Sequence, residues 1–443
     1  MSLLRASGMR CCSIRPSRMP AITSKFKKTV LARSYSDISI SPEILDELSE
    51  EQSRSPRAKR EPSENPYLWD VLPANSPWRF TKFPELFTLS KDVENAFRER
   101  KPIVGLETAI YTHGFPKPDN YTLALEMEHT VRDHGAVPAT IGILNGKIHI
   151  GMTNDQLEEL AYTAGSEKTS KISRRDIAYH VGKSGFPLNG GTTIAGTIKI
   201  AHSVGIKVVA TGGLGGVHKG GENSMDISTD LTELGRCCIA VITSGMKSFL
   251  DTARTMEFLE TQGVFVSTFG NPNEKVDIPG FFSRESGYKS PYVVEGPEEA
   301  ANIFFASQLL NMGSGSLFFN PIPEEYEIPK AEMDPILESA TSKSSNITGK
   351  DNTPAVLNEI VKQTEGRSIR ANRRLVLNNA KIGAQTAVLL NQLHAELSER
   401  RRELRKAHKV HLGLNDRDQE QTDENPMRNI NPTLPKISPR DSK

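Results

Sequence analysis

The chain has 443 residues, a net charge of +1 and a hydrophobic fraction of 37%. Charges of both signs are spread along it, so its bulk electrostatics do not point to nucleic acid or an anionic membrane. No apolar run approaches the roughly 20 residues that span a bilayer, which predicts a soluble protein. The modest hydrophobic fraction fits one large folded domain with tails better than two domains.

Four cysteines fall in two adjacent pairs, Cys11 with Cys12 and Cys237 with Cys238. That spacing suits neither a disulfide framework nor a CxxC metal site, so a reducing compartment is expected.

The first 36 residues carry Arg5, Arg10, Arg15, Arg18, Lys25, Lys27, Lys28 and Arg33, many serines, and no acid before Asp37. This Arg-rich, Ser-rich, acid-poor composition predicts a mitochondrial transit peptide over residues 1–36; a merely basic terminus on a cytoplasmic protein is the alternative. Residues 37–87, with EEQSRSPRAKREPSENP, are too polar to order themselves and are read as a disordered linker. Residues 395–443 begin as a charged helix, ELSERRRELRKAHK, and pass into a largely disordered tail.

Between them, over 88–394, strand-like runs alternate with helical ones. KPIVGLE, AVPATIGIL, KIHIGM, KVVATGG, CIAVITS and VFVSTF read as strands. TLALEMEHTVRDHG, TNDQLEELAYTAG, GTTIAGTIKIAHSVG, TDLTELG and SFLDTARTMEFLETQG read as helices. The alternation predicts an α/β domain with a largely parallel central sheet and helices on both faces. Ligands in such folds sit at the carboxyl ends of the strands.

Four strand ends carry unusual polar residues. In VGLETAIYTHGFPKPDN, Glu107 closes an apolar strand; a half-apolar setting raises a carboxyl pKa toward general-acid use, although taken alone the stretch favours a salt-bridged Glu107. In KISRRD, Lys171, Arg174 and Arg175 suit a phosphate or sugar phosphate, or form a solvated basic turn.

KVVATGGLGGVHKGGENSMDISTDLTELG gives a glycine-rich loop whose spacing fails the dinucleotide fingerprint. A helix is expected to open at Asp230 with Glu233 in capping-box position. Asp226 and Ser228 then lie just ahead of a helix N-terminus, where an anion or a hard cation can bind, and Asp230 is either cap or ligand. In IAVITSGMKSFLD, a helix over 248–262 would put Lys247 in its first turn, where dipole and desolvation both disfavour the cation and leave an amine able to attack a carbonyl carbon. A pair with Asp251 is the alternative.

Taken in order, GLETAIYTHGFPKPDN, HGAVPATIGILNGKIHIGM, KISRRD, GGTTIAGTIKIAH, VVATGGLGGVHKGGENSMDISTDLTELG, SGMKSFLDTARTMEFLETQGV, GFFSRESGY and FFNPIPEEY resemble the pseudouridine-5'-phosphate glycosidases, the indigoidine synthase A-like family. The resemblance covers about 88–394. It implies a three-layer α/β/α fold and a homotrimer with one Mn2+ per subunit. The implied reaction splits the C–C bond between uracil C5 and C1' of ribose 5-phosphate.

Carried over by residue, the resemblance makes Lys247 the nucleophile that forms an imine with C1' and Glu107 the proton donor. It gives Asp226 to the metal, and Lys171, Ile194, Ser228, Thr229, Asp230 and Asn320 to the substrate. A C-glycoside lacks a heteroatom leaving group, so the two-carboxylate oxocarbenium route suits it poorly, whereas an imine offers an electron sink. The family's LES and HRG read LET and HKG here, residues 183–189 look longer than usual, and ISPEILDEL at 40–48 resembles a family start that recurs near 88–98. An aldolase-like Schiff-base enzyme acting on another sugar phosphate, and a non-catalytic relative acting as a binding protein, are the rival readings.

Overall fold

The computed structural model describes residues 86–183, 188–344 and 352–411. The expected transit peptide, almost all of the linker, most of the longer stretch within 183–189, and the tail beyond 411 lie outside the described residues.

The amino-terminal half runs β1 (Phe87–Leu89), α1 (Lys91–Glu99), β2 (Ile103–Glu107), α2 (Asp119–Asp133), β3 (Val137–Leu144), β4 (Lys147–Ile150), α3 (Asn154–Tyr162), β5 (Thr169–Ile172), α4 (Arg174–Gly182), β6 (Asn189–Thr192) and α5 (Ile194–Val204). It continues with β7 (Val208–Ala210), β8 (Val217–His218), α6 (Gly221–Ser224), α7 (Thr229–Leu234), β9 (Ala240–Thr243), β10 (Leu250–Asp251), α8 (Thr252–Thr261) and β11 (Phe265–Phe269). Last come β12 (Val293–Val294), α9 (Pro297–Leu309), β13 (Ser316–Phe319), α10 (Lys330–Lys343), α11 (Asn352–Gln363) and α12 (Arg367–His411).

The main sheet has the order β1-β4-β3-β2-β7-β9-β13-β11-β12, with β6 attached to β3 and β5 to β6. From β3 through β2, β7, β9, β13 and β11 to β12 every pairing is parallel; β3 meets β4 and β6 antiparallel. The central strands are uninterrupted apolar runs because helices cover both of their faces: IVGLE, VVA and AVIT are buried at every position.

Two glycines show which helix takes which face. A Cβ on Gly383 of α12 would lie 3.0 Å from Ala210 Cβ and 3.7 Å from Val104, while one on Gly105 would meet Ala201 of α5 at 3.7 Å. Val104 and Gly105 are consecutive on β2 and point to opposite faces, so α12 and α5 lie on opposite sides of the sheet. The three-layer α/β/α expectation holds.

All six expected strands and all five expected helices form, with shifted ends. Local chemistry accounts for several ends: Thr153 and Gln156 make a reciprocal capping box on α3, and Thr193 caps α5, which stops at Gly205 with φ 88°. The charged helix expected from 395 is the last part of α12, a 45-residue helix that runs without a break across 394 and 395.

Candidate active site

β2, β7, β9 and β13 are neighbours and parallel, so their carboxyl ends share one edge of the sheet. The loops after β7 and β9 stay paired beyond the strands. Ser244 N donates to Gly212 O (2.8 Å), Leu214 N to Gly245 O (2.9 Å) and Lys247 N to Leu214 O (3.0 Å). Gly245 makes this possible: its φ is +100°, and a Cβ there would fall 1.9 Å from Pro279 O. Lys247 is thereby held as a half-buried side chain at the mouth of β9.

The helix expected to begin at Ser248 begins instead at Thr252, after the short strand β10. Its cap is Asp251, whose carboxylate accepts from Arg254 N (3.0 Å) and pairs with the Arg254 guanidinium. Lys247 is therefore not in a first helical turn, and the helix-dipole half of the sequence argument falls. Asp251 is committed to Arg254 because a cap's carboxylate faces the helix it caps.

Glu107 closes β2 and is buried, with its carboxylate accepting a hydrogen bond from the Thr211 hydroxyl at the end of β7. Burial pushes its pKa up to about 7; the Thr211 hydroxyl and the charges of Lys247 and Lys171 pull it down, and Asp230 pushes it up. A carboxyl at that value is half protonated near neutrality and can give up a proton there.

The opposite wall comes from β5, α4, α5 and α7. Lys171 lies on β5, and Ser173 and Arg175 at the start of α4; all three line the cavity. Arg174 does not: its guanidinium pairs with the buried Glu233 at 2.9 Å.

Asp230 is not the cap of α7. Ser228 fills that place, and Asp230, buried in the first turn, accepts from Ala195 N of α5 (2.9 Å) and Gly215 N (3.0 Å). Glu233, expected in a capping box, is drawn to Arg174 instead. One carboxylate thus fastens the N-terminus of α5 to the glycine loop, and Gly215 is needed because a Cβ there would sit 2.2 Å from Ser228 Oγ.

Glu107, Lys171, Ile194, Asp226, Ser228, Thr229, Asp230 and Lys247 all line a single cavity of about 370 Å3. Asn320 is not among its lining residues; its side chain is buried and donates to Asn379 at 2.9 Å.

The cavity also takes in residues that sequence reasoning did not single out. His218 stands in the glycine-rich stretch that was, but a lone histidine beside glycines carries no signal of its own. Its pKa is lowered chiefly by burial, with Lys247 and Lys171 adding to the effect and Asp226 opposing it. Asn372 of α12 has a buried Oδ1 with no hydrogen-bond partner among the described residues. Pro354 and Leu357 arrive on α11. These last three lie over 100 residues beyond Lys247, and no local pattern links them to a strand end.

For a hard divalent cation the cavity offers one carboxylate ahead of α7, that of Asp226. Among the described residues no three His, Cys, Asp or Glu side chains converge on a point. A single carboxylate suits Mn2+ or Mg2+ that keeps most of its shell as water, and does not suit a dry multi-ligand site.

The family model for indigoidine synthase A-like proteins matches residues 92–389. The chain is 44% identical over 306 residues to a pseudouridine-5'-phosphate glycosidase of Staphylococcus aureus, spanning 69% of this chain and 96% of that protein. It is 45% identical over 339 residues to a pseudouridine-metabolizing bifunctional protein of Schizosaccharomyces pombe, covering 75% of this chain but only 43% of that longer protein.

Among solved structures, an indigoidine synthase A-like protein of Thermotoga maritima aligns at TM-score 0.61 and 34% identity over 69% of this chain and 97% of its own. The prealnumycin C-glycosynthase AlnA, solved with ribulose 5-phosphate, aligns at 0.63 and 32% over 70% and 99%.

Proposed function

The chain belongs to the indigoidine synthase A-like family, and from that premise we propose that it cleaves pseudouridine 5'-phosphate to uracil and ribose 5-phosphate through an imine on Lys247. The observation that carries the proposal is the meeting, in one cavity, of the Lys247 amine with a buried carboxyl held near 7, opposite a wall bearing Lys171 and Arg175. The name of the Staphylococcus aureus relative and the sugar phosphate in the AlnA structure support the same substrate class.

The Lys247 amine attacks C1', and the C1'–O4' bond breaks to leave an open chain bound through nitrogen, with O4' taking a proton. Glu107 then delivers its proton to uracil C5. The nitrogen lone pair closes C1'=N as the electrons of the C1'–C5 bond pass into the pyrimidine, and uracil departs. Water adds to the imine and expels the lysine, so one water is consumed per bond cleaved.

Lys171 and Arg175, with the hydroxyls of Ser173, Ser228 and Thr229, form the wall that would hold the 5'-phosphate. Asp230 keeps α5 and the glycine loop in register beside it. Asp226 would hold Mn2+, which supplies positive charge to an anionic substrate. The homotrimer rests on the family resemblance.

Borohydride added during turnover should trap ribose 5-phosphate on the wild type and not on Lys247→Ala, which should release no uracil. A Lys247→Ala protein with normal uracil release would end this mechanism. A substrate panel scoring aldehyde release against uracil release separates the aldolase-like reading. Exhaustive chelation should lower turnover and added Mn2+ restore it; activity indifferent to chelation would remove Asp226 from a metal role.

A further inference from the structure

Below the cavity floor lies a side chain whose Nδ2 reaches the lining backbone at Gly212 O (3.3 Å) and which joins the strand ends that carry the reacting groups. Asn379 is completely buried on α12, two turns after Asn372 and on the same face. Its Nδ2 donates to the carbonyl of Thr211 at 2.7 Å, and its Oδ1 accepts from Asn320 Nδ2 at 2.9 Å. The Ser244 hydroxyl lies 3.0 Å from that Nδ2 and 3.2 Å from that Oδ1. Thr211, Ser244 and Asn320 are the first residues beyond β7, β9 and β13, so one carboxamide binds three adjacent strand ends together.

Two of those ends lead directly to the chemistry. Thr211 is the residue whose hydroxyl meets the Glu107 carboxylate, and Ser244 stands three residues before Lys247 in the loop that pairs with the glycine loop. The geometry points to Asn379 as a positioning residue that sets the distance and angle between the acid Glu107 and the amine Lys247. This rests on the reaction assigned above for its kinetic consequence, but its structural consequence is independent of any substrate.

The carboxamide suits this place because it supplies donors and an acceptor from one planar group, while a buried backbone carbonyl and two polar side chains all need partners. An aliphatic residue of similar volume would fill the space and leave those groups unpaired. Both loops would then settle into new positions, and a shift of about 1 Å between reacting groups can cost about 100-fold in rate.

The test compares the full chain with Asn379→Leu. Turnover of pseudouridine 5'-phosphate should fall about 100-fold in kcat, with KM within about threefold, because Lys171 and Arg175, the cations of the phosphate wall, stand on β5 and α4 rather than on the strand ends that Asn379 holds. Independently, the 13C carboxyl titration of Glu107, assigned with Glu107→Gln, should move above its wild-type midpoint near 7, since the Thr211 hydroxyl that lowers it is no longer held. The charges facing Glu107, those of Lys247, Lys171 and Asp230, are the same in both proteins.

A folded Asn379→Leu protein with unchanged kcat, or with reduced kcat and an unmoved Glu107 midpoint, overturns the proposal. If Asn379→Leu does not fold, Ser244→Ala removes only the link to the Lys247 loop. It should lower kcat about 10-fold with KM and the Glu107 midpoint unchanged, and an unchanged kcat then overturns the proposal. If the wild type itself releases no uracil, the assigned reaction fails, while the Glu107 titration still decides the role of Asn379.

Discussion

Burial of one carboxyl has opposite consequences for activity and for stability. Glu107 must be protonated to act as the acid, so uracil release should fall as pH rises through about 7. A kcat profile flat from pH 6 to 9 would exclude it as the proton donor, and Glu107→Gln should lower kcat by about 100-fold to 10,000-fold. The folded carboxyl also binds its proton more tightly than an unfolded one near 4.5. Its burial therefore costs no stability below 4.5 and progressively more as pH climbs through 7. The melting temperature of Glu107→Gln relative to wild type should be higher at pH 8 than at pH 5, and the reverse order would mean that the folded carboxyl is not raised.

The residue types at this site were readable from the chain: Glu107 stands out as a charged group closing an apolar strand and Lys247 as one in the turn that follows another. His218 and Asn372 were not, since a histidine in a glycine loop and an asparagine in a helix are chemically unremarkable until a cavity surrounds them.

Among the elements, α5 and α7 and the glycine loop are joined through one carboxylate rather than through packing alone. Asp230→Ala would leave Ala195 N and Gly215 N buried without an acceptor, at about 1–3 kcal/mol each. Thermal unfolding should show a loss of that size together with weaker substrate binding. A variant as stable as wild type would mean that water replaces the carboxylate.

Gly245→Ala faces a harder obstacle, combining φ of +100° with a Cβ 1.9 Å from a backbone oxygen. It should destabilise by several kcal/mol, about 3 or more, and displace Lys247. Sequence periodicity placed the helix after Lys247 four residues too early because Ser248, Phe249, Leu250 and Asp251 carry apolar and capping residues that a helix would also accept. What ends that ambiguity is the pairing of β10 with β8, Leu250 opposite His218 and Asp251 opposite Val217, a contact that no local window contains.

At the scale of the whole molecule, α12 closes the domain. Ala371, Leu375, Val376, Ala380, Ala384, Ala387 and Leu390 form its buried stripe against the sheet and neighbouring helices, and Arg373 clasps Glu126 of α2 with a 2.8 Å hydrogen bond. A chain ending before Gly383 would lose three of those side chains and the glycine contact at 383. That is a large share of a stability of about 5–15 kcal/mol, and the shortened chain should fail to unfold cooperatively. One ending after Glu399 keeps every buried position of the helix among the described residues and should melt within about 2 °C of the full chain. For the first 36 residues, fusion to a reporter should direct it to mitochondria; a reporter left in the cytosol would refute the transit-peptide reading.

The sequence by itself determined the layered α/β class, because alternating apolar periods of two and 3.6 leave few other ways to bury both faces of a sheet. It also determined which strand ends bear chemistry, because a lysine or glutamate after a buried strand departs from the pattern around it. Only the tertiary structure decided that Glu107 sits beside Thr211, that Arg174 serves Glu233 rather than the cavity, and that Asn320 lies behind the floor. It alone brought Asn372 and Asn379 to the carboxyl edge. Those outcomes depend on strand order and on the crossing of α12, which bring together residues from 59 to 168 positions apart, and a local pattern holds no record of such neighbours.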